Sequence, residues 1–382
     1  MSDPSYPVFP VFTIIGFIIV LIPLPWHLQA WNSGTCLYIV WTAIACLNQF
    51  VNSLVWHGNA IDHAPIWCDI STRLIIGIAV AIPSASLCIN RRLYKIASMQ
   101  SASITRRDKQ RAVIIDIAIG MGIPVIQMAL QYVVQGHRYN IFEDIGCFPT
   151  TYNTPLAYPL VVMWPVVIGL VSAVYCLLTL RAFLKRRAQF SQLISTHSSL
   201  TINRYFRLMA LASADLLFTV PYSLYGLYLN LTSSPLFPWR GWADTHFQFS
   251  RVLLIPSSAW HSNHSFAFGL ELSRWIVPVC AIVFFAFFGF AEEACRNYCR
   301  LFALCGRHLR LWPGSRTRAS RGYPDATSST STIVSGSLPI YVPRLLPDHQ
   351  YFDSSIYHTK FEKTLTLQTT TSVTTVYDRN SK

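Results

Sequence analysis

Residues 67–95 read WCDISTRLIIGIAVAIPSASLCINRRLYK. From Trp67 to Ile89 the charged side chains are Asp69 and Arg73, both near the start, and Arg91, Arg92 and Lys95 follow as soon as the apolar run ends. A hydrocarbon core of about 30 Å needs about 20 apolar helical residues to cross it. Trp67–Ile89 therefore reads as a membrane-spanning helix that emerges on a basic side. Six more stretches have the same character: Val8–Leu28, Thr35–Val55, Val113–Val134, Tyr158–Leu180, Leu208–Leu231 and Leu272–Ala291. The expected fold class is an all-α membrane protein, a seven-transmembrane helix bundle over residues 1–292. Composition agrees: 52% of residues are hydrophobic and 12% charged, whereas soluble domains carry about 25% charged residues. The first stretch is too long for a cleaved signal peptide and has neither a basic start nor a small-residue cleavage site.

The formal net charge is +13, which in a soluble chain would suggest a nucleic-acid partner. Here the positions of the charges exclude that reading. Arg91, Arg92, Lys95, Arg106, Arg107, Lys109 and Arg111 lie between stretches three and four, and Arg181, Lys185, Arg186, Arg187, Arg204 and Arg207 between five and six. After stretch seven come Arg296, Arg300, Arg307, Arg310, Arg316, Arg318 and Arg321. The alternate loops hold Arg138, Arg240 and Arg251 beside Asp62, Glu143, Asp144, Asp244 and Glu271. Short loops rich in Lys and Arg stay cytoplasmic, so the N-terminus is expected outside and the C-terminus in the cytoplasm of a multi-pass plasma-membrane protein. The first inner loop departs from the pattern, with His27 at its edge and no Lys or Arg.

Two sequons, Asn230-Leu-Thr and Asn263-His-Ser, fall on the expected outer side and are candidate N-glycosylation sites. Of ten cysteines, Cys68 and Cys147 are the two that this topology places outside. A bridge between them would pin the second outer loop over the bundle; the alternative is two unpaired thiols. Residues 293–312 show apolar residues at Tyr298, Leu301, Phe302, Cys305, Leu309 and Trp312 among basic neighbours. That spacing suits an amphipathic juxtamembrane helix on the anionic inner leaflet of the lipid bilayer. Cys295, Cys299 and Cys305 are candidates there for palmitoylation, or else reduced thiols packed on the lipid side. Residues 313–382 are rich in Ser and Thr, with runs at 327–332 and 369–375 and no apolar period. They read as a disordered cytoplasmic tail whose phosphorylation would offer acidic charge to a regulatory partner, or as an inert spacer.

Polar groups within a bilayer are costly and tend to face the bundle interior. Asp69 and Arg73, four apart on one helical face, can pair with each other; they are candidates to read the polar end of a ligand, or a buried pair that sets packing. Asp215 lies eight residues past Arg207, about 12 Å in at 1.5 Å per residue, and Pro221 follows. Together they suit an activation switch in a rocking helix, or a bonded carboxylate beside a static kink. The basic residues Arg91, Arg92, Arg186 and Arg187 suit an acidic protein partner, and equally suit lipid headgroups. No zincin, nucleophile-elbow or Walker pattern occurs, so no enzyme and no cofactor is expected. Lysine occurs at positions 95, 109, 185, 360, 363 and 382, outside every stretch, which excludes a retinal Schiff base. A small-molecule or lipid transporter is the alternative class, although the polar residues are isolated rather than in rows.

Four ordered segments resemble one family. They are Pro23-Leu-Pro-Trp-His27 with Asn32 and Trp41, Trp67-Cys68-Asp69-Ile70, Arg204-Tyr-Phe-Arg207-Leu-Met209, and Phe284–Glu293 with its Phe-Phe-Gly-Phe-Ala-Glu-Glu run. Over residues 6–305 the chain resembles the fungal lipopeptide mating-pheromone receptors of the a-factor receptor type. The resemblance implies a G-protein-coupled receptor for a farnesylated, carboxymethylated peptide pheromone, with a heterotrimeric G protein on its inner face. The chain has neither Asp-Arg-Tyr after stretch three nor Asn-Pro-x-x-Tyr in stretch seven, so switch residues do not carry over from animal receptors.

Overall fold

The computed structural model describes residues 5–98, 105–185, 202–232 and 235–290. Seven helices in it are long and apolar enough to cross a membrane. We label them α1 (Val8–Leu21 continued by Leu24–Gln29), α2 (Ser33–Val55), α3 (Pro65–Ser98), α4 (Arg106–Val133), α5 (Trp164–Lys185), α6 (Ile202–Thr232) and α7 (His264–Phe288). The chain is thus a seven-helix membrane bundle. Helix ends differ from the hydropathy reading where polar residues continue a helix beyond the apolar run. α3 runs on past Ile89 to Ser98, and α4 begins at Arg106 behind a capping box in which Thr105 and Asp108 bond each other's backbone amides.

α3 is the hub. It packs on α2, α4, α5 and α6, and 72% of its apolar window is buried against 18% for α6. Lipid tails are as apolar as Leu, so helix association in a bilayer rests on close packing and polar contacts rather than on hydrophobic transfer. Small residues supply that packing: Ala81, Ser84, Ala85 and Ser86 of α3 are all buried. At Gly34 of α2, an added Cβ would stand 3.0 Å from the Cβ of Cys88 and 3.1 Å from the amide nitrogen of Ile89. Within α4, a π-helical turn at Ala118–Gly122 shifts the hydrogen-bond register, and Trp41 Nε1 donates to the Gly120 carbonyl at 2.9 Å. An indole buried in hydrocarbon thereby finds its acceptor.

The loops at one end of the bundle add strands that the helical reading did not anticipate. β1 (Tyr139–Phe142) and β2 (Gly146–Phe148) form an antiparallel hairpin between α4 and α5, and β3 (Val252–Ile255), between α6 and α7, pairs parallel to β1. Such short strands carry too weak an alternation to stand out beside seven apolar runs. The hairpin turn rests on Trp56, which is fully buried and accepts the Asp144 amide at 2.9 Å. Gly146 takes φ +94, and a Cβ there would meet Asn52 at 2.8 Å, so both conformation and space call for glycine. A disulfide joins Cys68 at the start of α3 to Cys147 on β2 across 79 residues, with Cα atoms 5.2 Å apart. Closing so long a loop in a free chain stabilises by about 4 kcal/mol, and less where the bilayer already restrains α3 and α4. We call this the capped end and the opposite one the basic end.

The fit at Gly34 leads to a test. Gly34→Val should cost about 2 kcal/mol through overpacking against α3 backbone and lower the detergent melting temperature by several degrees. Gly58→Ala, in a loop with open space around its Cβ position, tests the left-handed backbone alone and should shift it less. Equal shifts would show that α2 and α3 do not approach as described.

Candidate functional site

Two polar layers, one at each end of α3, interrupt the apolar interior. At the capped end, Asp69 and Arg73 do not pair with each other as their spacing suggested. Arg73 turns toward α4, where its two terminal nitrogens donate to the side-chain oxygens of Gln131 and Gln135. Two side-chain carbonyls four residues apart match the two terminal nitrogens of a planar guanidinium, which only donates. Each glutamine then spends its NH2 group on the loop above: Gln131 donates to the Thr150 carbonyl at 2.7 Å and Gln135 to the Arg138 carbonyl at 2.6 Å. Arg73 therefore organises the hairpin through two relays, and it also lies over the Tyr132 ring at 5.4 Å.

Asp69 accepts a two-pronged contact from Arg138, at 2.9 and 2.5 Å. That bond holds the Arg138 guanidinium above its ordinary pKa. The two side chains are 47% and 35% exposed, so the pair is worth at most about 1 kcal/mol. Its part is orientation rather than stability, and Asp69 stays accessible from the capped end. Beside it, burial, with Asp62 as the second cause, pushes the Tyr139 phenol up to about 12. The neutral hydroxyl donates to the Asp62 carboxylate at 3.1 and 3.2 Å. Farther round the bundle, Glu143 joins the two large loops: its carboxylate accepts the Ser257 amide at 2.6 Å and its carbonyl accepts Trp260 Nε1 at 3.2 Å. On α7, buried Arg274 donates to Glu271 at 2.7 Å and sits 4.3 Å from the Phe9 ring centre, linking α7 to α1.

The basic end is tied by Asp116, fully buried in α4. Arg91 of α3 donates to one carboxylate oxygen at 2.6 Å, and Ser33 at the start of α2 donates to the other. Three helices meet on one carboxylate. Arg91, a candidate partner contact by sequence, is therefore committed to an interhelical bond, with its side chain 19% exposed. Arg92 donates to the Trp31 carbonyl. Asp116, Gln131 and Gln135 do not enter the sequence expectations, although the signal was present. Asp116 is an isolated acid inside an apolar stretch, and Gln127, Gln131 and Gln135 recur every four residues.

Asp215 lies within α6 six residues before Pro221, which removes one helical hydrogen bond without ending the helix. The Asp215 side chain is outside the described residues, as are Arg186, Arg187, Cys295, Cys299, Cys305 and the whole of 293–382. Asn230 is in the last turns of α6, where its amide donates to the Gly226 carbonyl at 2.8 Å. Asn263 caps α7, accepting the Phe266 amide at 3.1 Å.

The segments with a family resemblance occupy structural positions in this frame. His27 is buried against Phe288 and Phe284, with ring centres 4.9 and 6.1 Å away, and Tyr205 is buried beside Phe183. A family model described as the STE3 pheromone A receptor matches residues 8–306. The chain belongs to that family. It is 51% identical over 311 residues to the Pheromone B alpha 3 receptor of Schizophyllum commune, covering 81% of this chain and 50% of that protein. Pheromone receptor 1 of Mycosarcoma maydis is 36% identical, with 80% and 86% covered, and the Pheromone a factor receptor of Saccharomyces cerevisiae is 24% identical, with 75% and 59% covered. The chain spans about half the length of the Schizophyllum B alpha receptors that it matches.

The three-helix contact at Asp116 separates a structural from a partner-binding part for Arg91. Arg91→Met alone should destabilise the bundle by about 3 kcal/mol, because it strands a buried carboxylate, whereas Arg91→Met with Asp116→Leu should recover most of the loss. Thermal unfolding of the single and double variants checks this. Additive losses would mean that the two residues act separately.

Proposed function

We propose that this chain is a G-protein-coupled receptor for a farnesylated peptide mating pheromone, and that it activates a heterotrimeric G protein by helix rearrangement. One observation carries the reading. A single helix, α3, holds both polar layers: Asp69 and Arg73 lie at the capped end, and Arg91 with Arg92 at the basic end. The 22 residues from Asp69 to Arg91 measure about 33 Å along a helix, so one continuous helix, with Pro83 inside it, links a layer open to a ligand with a layer beside the basic loops.

In this reading the capped end faces outward at the plasma membrane and the basic end, with the C-terminus, faces the cytoplasm. The basic loop distribution and a bridged capped end support that orientation. The lipopeptide contacts Asp69 and favours a state in which α6, the least enclosed span, swings at Pro221. Coupling is then the difference in pheromone affinity between the two states. Arg186 and Arg187 offer positive charge to the G protein, and Arg91 acts through its bond to Asp116. Residues 293–312 lie as a juxtamembrane helix, with Cys295, Cys299 and Cys305 as palmitoylation sites, and 313–382 form a regulatory tail that takes phosphate. Asn263, in a loop, is a better glycosylation acceptor than Asn230, which is held in a helix. The chain performs no catalysis itself.

Two measurements test this. Membranes carrying the receptor and a co-expressed G protein should show nucleotide exchange above the basal rate with at least one lipopeptide from a panel of candidates, and no stimulation by any would sink the reading. Asp215→Asn should change basal exchange several-fold while leaving pheromone affinity within about twofold. An unaltered basal rate at normal surface expression would leave Asp215 as a packing residue.

A further inference from the structure

An apolar cleft of about 510 Å³ lies at the basic end, between the last turn of α1, the first turns of α2 and the start of α4. Its size is that of a small-molecule site, about 300–1,000 Å³. Leu28, Leu37, Val40, Val113 and Ile117 line it, and Leu28, Val40 and Ile117 are exposed on the flank that faces hydrocarbon. One lining group breaks the apolar character. The Asn32 side chain is 3% exposed, and its Nδ2 finds no acceptor among the described residues. A buried amide donor left this way costs about 1–3 kcal/mol, so the cleft suits an occupant that brings an acceptor to that depth.

The rim of the cleft is cationic. Arg92 donates to the carbonyl of Trp31, itself a lining residue, and so sets a positive charge at the mouth. Lys109 is exposed and lies four residues before Val113, on the same face of α4. The order from mouth to interior is therefore positive charge, then an unpartnered amide donor, then apolar walls. An anionic phospholipid has the matching order of phosphate, ester carbonyl and acyl chain, and basic pockets between spans bind such headgroups. A sterol offers one hydroxyl and no charge, and leaves the rim unmatched.

We propose that this cleft binds one anionic phospholipid, with the phosphate on Arg92 and Lys109, an ester carbonyl on Asn32 Nδ2, and an acyl chain along Leu37, Val40 and Val113. The lipid packs on Ser33, which also lines the cleft and bonds Asp116. Occupancy therefore braces the contact that ties α2, α3 and α4 together. No step of this binding requires pheromone or G protein.

The test uses the full chain purified into nanodiscs of phosphatidylcholine, with or without phosphatidylserine, and with or without a sterol. Phosphatidylserine should raise the melting temperature and be retained at one per chain by native mass spectrometry. A photoactivatable acyl chain on it should crosslink within residues 28–40 and 113–117. Arg92→Gln should weaken retention roughly tenfold, Asn32→Leu should weaken it less, and Arg92→Lys should retain it. Equal melting in all discs would overturn the proposal. So would stabilisation by the sterol alone, or crosslinks confined to other faces. Because no pheromone is present, failure here leaves the receptor reading untouched.

Discussion

Within the hydrocarbon of a bilayer no water is available to satisfy a backbone amide or a buried charge, and the rest of this structure follows from that constraint. It makes helices the spanning element, and it makes an unpaired charge inside them costly enough to draw partners from neighbouring helices. Asp116 shows the rule most clearly. A fully buried carboxylate draws Arg91 from α3 and Ser33 from α2, so one acid sets the mutual position of three helices. Trp41 shows it on a smaller scale, since its indole donor is met by a carbonyl in the π-helical turn of α4.

The same economy governs the capped end. Arg73 is satisfied by two glutamine oxygens, which leaves two amide NH2 groups directed at the loop above. Loop and helix are thereby coupled without any direct contact between Arg73 and the loop backbone. The disulfide, the Trp56 platform and the Glu143 contacts act on the same hairpin from other sides. The hairpin at the capped end is thus held from below and from both flanks. Asp69 stands at its accessible edge.

Much of the architecture was legible in the sequence because hydropathy over about 20 residues is a strong signal. The seven spans and the bundle could be read from that signal, and the family likeness from four ordered motifs. Span ends were less legible: α3 and α4 extend into polar sequence that helix propensity and a capping box continue, and hydropathy is blind to both. The three-stranded sheet was not legible, since strands of three and four residues lie under the noise of an apolar chain. Asp69 and Arg73 stand out as intramembrane charges, but spacing on one helix cannot choose between a mutual pair and two separate partners on other elements. Asp116 was as visible as either, and it is the carboxylate on which α2, α3 and α4 meet.

By itself, then, the sequence determined the number of spans, the uneven distribution of charge between their two ends, and the family. The first two depend on composition over local windows, which the bilayer reads directly, and the family rests on ordered motifs along the chain. Only the tertiary structure decided which polar group meets which. Arg73 went to Gln131 and Gln135, Asp69 to Arg138, and Arg91 to Asp116. Those choices depend on the rotation and depth of each helix against its neighbours, and close packing at contacts such as Gly34 on Cys88 sets both.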